Sequence, residues 1–198
     1  MMRKLLLIAM LAASPAAAFQ PTPDWPCIQP MQPHLSLGQV WTGPVPDEAT
    51  MKLAEAPEIR DLAQRITQRR MKIEDAEAEI AAFAAGKDAA TLTALMQASL
   101  DLIDSHRSKL IAGIARYGHS QVALAAKVET RREKMAALEA AASPDFDAID
   151  AEEKALDWDS RIFTERQQSL TYVCETPVIL EQRLFALGRA IASHLSPE

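Results

Sequence analysis

Residues 88–142, DAATLTALMQASLDLIDSHRSKLIAGIARYGHSQVALAAKVETRREKMAALEAAA, decide how this chain folds. Met96, Leu100, Ile103, Arg107, Leu110, Ile114, Tyr117, Gln121, Leu124, Val128, Arg131, Met135 and Leu138 recur at alternating steps of four and three, and ten of these thirteen are apolar. Apolar side chains at that spacing line one seam of an α-helix and ask for a partner helix along its length. Asp88 stands where a helix N-cap is wanted. Unbroken, the helix spans roughly 80 Å, at about 1.5 Å per residue. Gly113 and Gly118 are its only weak points, and each costs about 1 kcal/mol relative to alanine.

Helical spacing continues on both sides. Upstream, Asp47-Glu48 opens a short helix, and Pro57 starts another that runs to Gly86. In that second helix Ile59, Ile66, Ile73 and Ile80 recur every seven residues, with Leu62, Arg69, Ala76 and Phe83 between them. Downstream, Ser143-Pro144-Asp145 turns the chain. A helix over 147–173 follows, with Ile149, Leu156, Phe163 and Leu170 seven apart. Thr176-Pro177 then caps a last helix with Leu180, Leu184, Leu187, Ile191 and Leu195 inward. The fold class is all-α: an antiparallel bundle around a long central helix, with a coiled-coil hairpin.

The N-terminal stretch is different. Met1 to Lys4 is basic, Leu5 to Ala13 is apolar, and Ser14-Pro15 leads into Ala16-Ala17-Ala18. Residues 1–18 thus read as a secretory signal cleaved after Ala18, too short to span a bilayer. Residues 19–46 hold seven of the twelve prolines, so they are expected to be extended and non-helical. Yet they carry Trp25, Ile28, Met31, Leu35, Leu37, Val40 and Trp41, which suits a strap laid over helices rather than a free linker. The bundle domain then covers 47–198, with 118–172 as its possible coiled-coil arm.

An exported chain meets an oxidising compartment, where Cys27 and Cys174 are expected to join. Helix lengths support the pairing independently. Short connections favour antiparallel neighbours, so the 57–85 helix and the 147–173 helix fold back along opposite halves of the long one. Pro57 then lies opposite about residue 116 and Cys174 opposite about residue 113, so the two cysteines meet near its middle. Closing a loop of roughly 148 residues contributes about 5 kcal/mol in the chain-entropy model. In this layout 118–172 projects as a two-stranded arm; a break at Gly113–Gly118 would instead fold the arm into a compact bundle.

Charge narrows the partners. The net charge is −6, and loss of Arg3 and Lys4 with the signal leaves 19 basic against 27 acidic side chains, a net −8. That disfavours nucleic acid and anionic lipid surfaces. No nucleophile stands with a base in a recognisable turn, and aromatics make up only 5%, so neither a catalytic residue nor a cofactor is expected. Cys27, Met31 and His34 superficially resemble soft copper ligands, but a disulfide removes the thiolate. The acids Asp145, Asp147, Asp150, Glu152, Glu153, Asp157 and Asp159 complement a helix N-terminus without forming a calcium loop. His106 and His119 are thirteen apart and do not share a helical face. No metal site is expected.

Arg69, Arg107, Gln121 and Arg131 interrupt apolar seams and read either as register-setting polar groups or as side chains reaching out to water. Asp159 and Arg166 are the expected partners of Arg131 and Gln121. The candidate interaction residues are Trp25, Trp41, Leu124, Val128, Arg131, Met135, Asp159 and Phe163.

The leader DWPCIQ…VWTGP and the later YVCETPVILEQRLFALGRAI resemble blocks in small, exported, uncharacterised helical proteins of Gram-negative bacteria. The likeness covers about 45 residues around Cys27, Trp41, Cys174 and Pro177. It implies export and the disulfide, and no activity. The leading expectation is a periplasmic, non-enzymatic protein presenting a coiled-coil surface to an envelope partner or to itself. A small-ligand or metal carrier and a holdase-like chaperone are the alternatives.

Overall fold

The long seam folds as one helix. In the computed structural model, which describes residues 22–195, Ala89–Glu139 is continuous, with the Asp88 carboxylate accepting the Thr91 N–H at 2.8 Å. Residues 1–18, expected from sequence to be a secretory signal, lie outside the described residues. Numbering helices along the chain, α1 is Leu37–Val40, α2 Glu48–Leu53, α3 Pro57–Ile66, α4 Ile73–Ala84, α5 Ala89–Glu139 and α6 Phe146–Ala192. Among the described residues there is no strand. Gly113 and Gly118 do not break α5, which excludes the compact alternative.

Helices α5 and α6 run side by side and carry the architecture, with α2 and α3 packed on α5 and α1 and α4 on α6. Near its start α5 is buried on every side from Leu92 to Leu100. There it meets Leu180, Leu184, Leu187 and Ile191 of α6 together with Ile59, Leu62, Ile66 and Ile80. Burying each such side chain contributes about 1.5–3 kcal/mol. Farther along, only α6 accompanies α5, so the second half is a helical hairpin whose tip is the turn before Asp145.

Four expectations are corrected. The 57–85 segment is two helices, because the chain turns at 67–72 and passes from the face of α5 to the face of α6. Arg183 holds that turn: its Nε and Nη2 donate to the Ile66 carbonyl and its Nη1 to the Met71 carbonyl at 2.8 Å. Arg69, expected in the seam, lies exposed in the turn. Pro177 does not begin a helix; it is buried inside the continuous α6. The Thr176 hydroxyl donates to the Tyr172 carbonyl at 3.2 Å. That local bond falls in the turn whose hydrogen bonding the proline disturbs. Finally, the strap is not wholly extended. Between Pro33 and Pro44 it makes the single turn α1, where the Ser36 N–H donates to Gln39 Oε1 at 2.9 Å.

Candidate functional site

The strap crosses the middle of α5 at the disulfide. Cys27 and Cys174 are bonded, with their Cα atoms 5.6 Å apart. Trp25, Ile111 and Ile114 surround the sulfurs, with Leu170 and Val173 packed alongside. Ile111 lies close to the register inferred from helix lengths. Leu110, expected in the seam, faces outward in place of Ile111.

Polar side chains sew the strap down by capturing its carbonyls and amides, which a proline-rich segment cannot pair with itself. The Gln29 amide donates to the Cys174 carbonyl at 2.8 Å. Arg107, only 4% exposed, donates to the Gln32 carbonyl and lies 3.5 Å from Glu181. The Ser108 hydroxyl donates to the Pro33 carbonyl at 3.0 Å. Asp104 accepts the Leu35 N–H at 2.7 Å and sits 2.9 Å from His34 Nδ1. At the far end His119 Nε2 meets Asp24 at 2.7 Å. The glycines complete the fit. A Cβ on Gly118 would collide with the Pro23 carbonyl oxygen, and one on Gly188 would collide with that of Val40.

The arm is held differently. Val128 is its buried apolar residue, while Leu124, Met135 and Phe163 are half-buried. Its centre is an ion network. Arg131 donates to Asp159 at 2.5 Å through Nε and to Glu152 at 2.7 Å through Nη1. Lys127 reaches Asp159 at 3.0 Å, and Lys134 reaches Glu152 at 2.6 Å. Both carboxylates are almost wholly covered. The hydrogen bond from Lys134 and then that from Arg131 hold the Glu152 carboxyl below its ordinary range, and Lys127 with Arg131 does the same for Asp159. Three cations against two carboxylates leave no uncompensated buried negative charge, the condition under which such groups are tolerated.

Of the sequence-predicted interaction residues, Trp25 and Trp41 are buried in the protein's own packing, Trp25 at the disulfide and Trp41 in the bundle core. Arg131 and Asp159 meet as expected. Gln121 instead donates to the Phe163 carbonyl, and the Tyr117 hydroxyl donates to the Arg166 carbonyl at 2.5 Å. Of the potential copper ligands, Cys27 is consumed by the disulfide and His34 by Asp104. Sequence reasoning misses Lys127, Lys134 and Arg183, and it places Glu152 only among the acids at the tip. A signal exists for three of them: Lys127, Arg131 and Lys134 share a helical stripe, and Glu152 and Asp159 stand one heptad apart.

Among the described residues, one outward stripe of α6 is exposed. Trp158 is 59% exposed, Tyr172 74% and Ile179 41%, and with Glu165 they stand at successive seven-residue steps. The Arg161 guanidinium lies 5.9 Å from the Trp158 ring centre. A seven-residue step returns to within about 20° on an α-helix, so these side chains form one stripe. Among the described residues no helix is long and apolar enough to cross a membrane.

Comparison with family models, with curated proteins and with solved structures finds no match to this chain. Its class is therefore defined by the fold: an all-helical bundle closed by one disulfide, with a paired-helix arm. The resemblance in the leader and the Cys174–Pro177 block rests on those residues alone.

Proposed function

We propose that this chain is an exported, non-enzymatic interaction protein of the periplasm, in which the disulfide-closed base holds the α5–α6 arm so that a partner helix docks on it in coiled-coil fashion. The observation that carries the reading is the exposed stripe of Trp158, Tyr172 and Ile179 on α6. Three of its four heptad positions are apolar or aromatic, with Glu165 at the other; such spacing suits a second helix, and aromatic residues dominate the energetics of such interfaces. The inner face of α6 is occupied by α5, and this outer stripe is open to an envelope partner or a second copy of the chain. The disulfide suits an oxidising compartment.

A photo-crosslinking amino acid placed at 158 or 172 in cells tests it. Adducts are expected at both positions and not at Glu55, which is exposed on the base. Absence of any adduct at 158 and 172 overturns the reading. The holdase-like alternative keeps little support, because Trp25, Leu35, Val40 and Trp41 of the strap are committed to the protein's own interior.

A further inference from the structure

The break between α3 and α4 opens a groove of about 810 Å³ on the base, between that turn, α5 and α6. Its size falls within the range of small-molecule sites. The floor is apolar: Leu102 and Leu110 from α5 and Leu180 from α6. The rim carries Arg69 and Arg70 from the turn and His106 and Lys109 from α5, with no carboxylate in the lining. That is a concentration of one sign on a chain whose net charge is −6. Leu102, His106 and Lys109 share one face of α5 because they stand four and three apart. Arg183, beneath the turn, spends its donors on the Ile66 and Met71 carbonyls, so the rim cations are free of that task.

We propose that this groove binds a single-chain anionic amphiphile, with the alkyl chain on Leu102, Leu110 and Leu180 and the carboxylate against Arg69, Arg70 and Lys109. Two features select this occupant. Charge complementarity requires an anion, and the apolar floor requires a hydrocarbon attached to it. An extended acidic peptide fits less well, since the walls are helices and the turn carbonyls at Ile66 and Met71 are already taken. The site is independent of the arm, so its failure and that of the docking proposal are distinguishable.

Isothermal titration of the full-length mature protein with dodecanoate, below its micelle concentration, tests the proposal. One equivalent is expected to bind, with R69E/R70E weakening affinity about tenfold or more, the equivalent of about 1.4 kcal/mol. L110E, at an exposed position on the floor, is expected to do the same. R189A, on the opposite side of α6, leaves binding unchanged. Far-ultraviolet circular dichroism confirms that each variant keeps its helices. Equal binding of dodecyltrimethylammonium by the wild-type protein overturns the proposal without recourse to any variant. Equal binding of acetate shows that the chain is not recognised and overturns it as well. So does silence toward dodecanoate, and binding of a glutamate-rich helical peptide at Arg69 and Arg70 in its place would assign the groove to a different occupant.

Discussion

At the scale of single residues, two glycines little more than one turn apart do opposite work. Gly118 gives the strap room, since a methyl group there collides with the Pro23 carbonyl oxygen. Gly113 faces open space, with Arg116 Nη2 at 3.7 Å as its nearest neighbour. Gly113→Ala is therefore expected to stabilise the protein by up to about 1 kcal/mol through helix propensity alone, whereas Gly118→Ala is expected to destabilise it by lifting the strap. Urea denaturation of the two variants checks the opposite signs. Arg183 presents a second case. One planar guanidinium satisfies two carbonyls left by the α3–α4 turn, a task that the single ammonium of lysine cannot duplicate. Arg183→Ala should cost about 2 kcal/mol in the same measurement, the order of charge-assisted hydrogen bonds on a partly covered turn. Arg183→Lys should recover only part of it.

Among elements, what can be read from sequence depends on whether the cause is local. Asp88 as the α5 cap, the helical spacing from Met96 to Leu138 and the turn at Ser143–Asp145 are legible because each rests on local spacing, whereas the continuity of α5 through Gly113 and Gly118 and the replacement of Leu110 by Ile111 in the seam are not. Nor is the split between α3 and α4. Ile66 and Ile73 keep their seven-residue spacing across a turn because both still face the base, and the Arg183 that secures the turn lies 117 residues from Ile66. Pro177 misleads in the other direction, since a proline reads as a boundary but α6 carries it internally. The arm divides in the same way: the pairing of Arg131 with Asp159 is legible, and its closure by Lys127, Lys134 and Glu152 emerges only when the helices are laid together. This network makes the arm sensitive to acid. The folded-state values of Glu152 and Asp159 lie below their ordinary ones, and an ordinary carboxylate titrates near about 4. Their contribution is therefore complete above that value and is lost as pH falls through the lower folded ones. Hydrogen exchange as the pH is lowered below about 4 should show arm amides near 124–135 losing protection before those near 92–103. With E152Q/D159N that pH dependence should largely disappear. Arg131→Met alone leaves each carboxylate one lysine partner, so it should weaken the arm less than Arg131→Met combined with Lys127→Met and Lys134→Met, which strands both carboxylates.

For the whole molecule, length and stability have separate origins. Length is set by α5, which has 51 residues. Such a helix spans roughly 77 Å, at about 1.5 Å per residue. The disulfide joins positions 147 residues apart in sequence and ties the strap to the waist of that rod. It limits the unfolded chain far more than it shapes the folded one. The consequences are measured on the oxidised protein and on a variant without the two cysteines. Solution scattering of the oxidised protein should give a maximum dimension of about 80 Å, the helix length with little added. A folded-back arm would give about 50 Å from the same rise per residue, and that value would contradict the continuous helix. Replacing both cysteines by alanine should leave the scattering dimension unchanged, since α5 and α6 do not depend on the bond for their length. The same variant should lose stability toward the chain-entropy limit of about 5 kcal/mol. The loss should concentrate where the strap is held, so protease should cut near Ile28 and Met31 while the helices remain protected. A variant that shortened as well as weakened would mean that the sulfur bridge determines the rod itself.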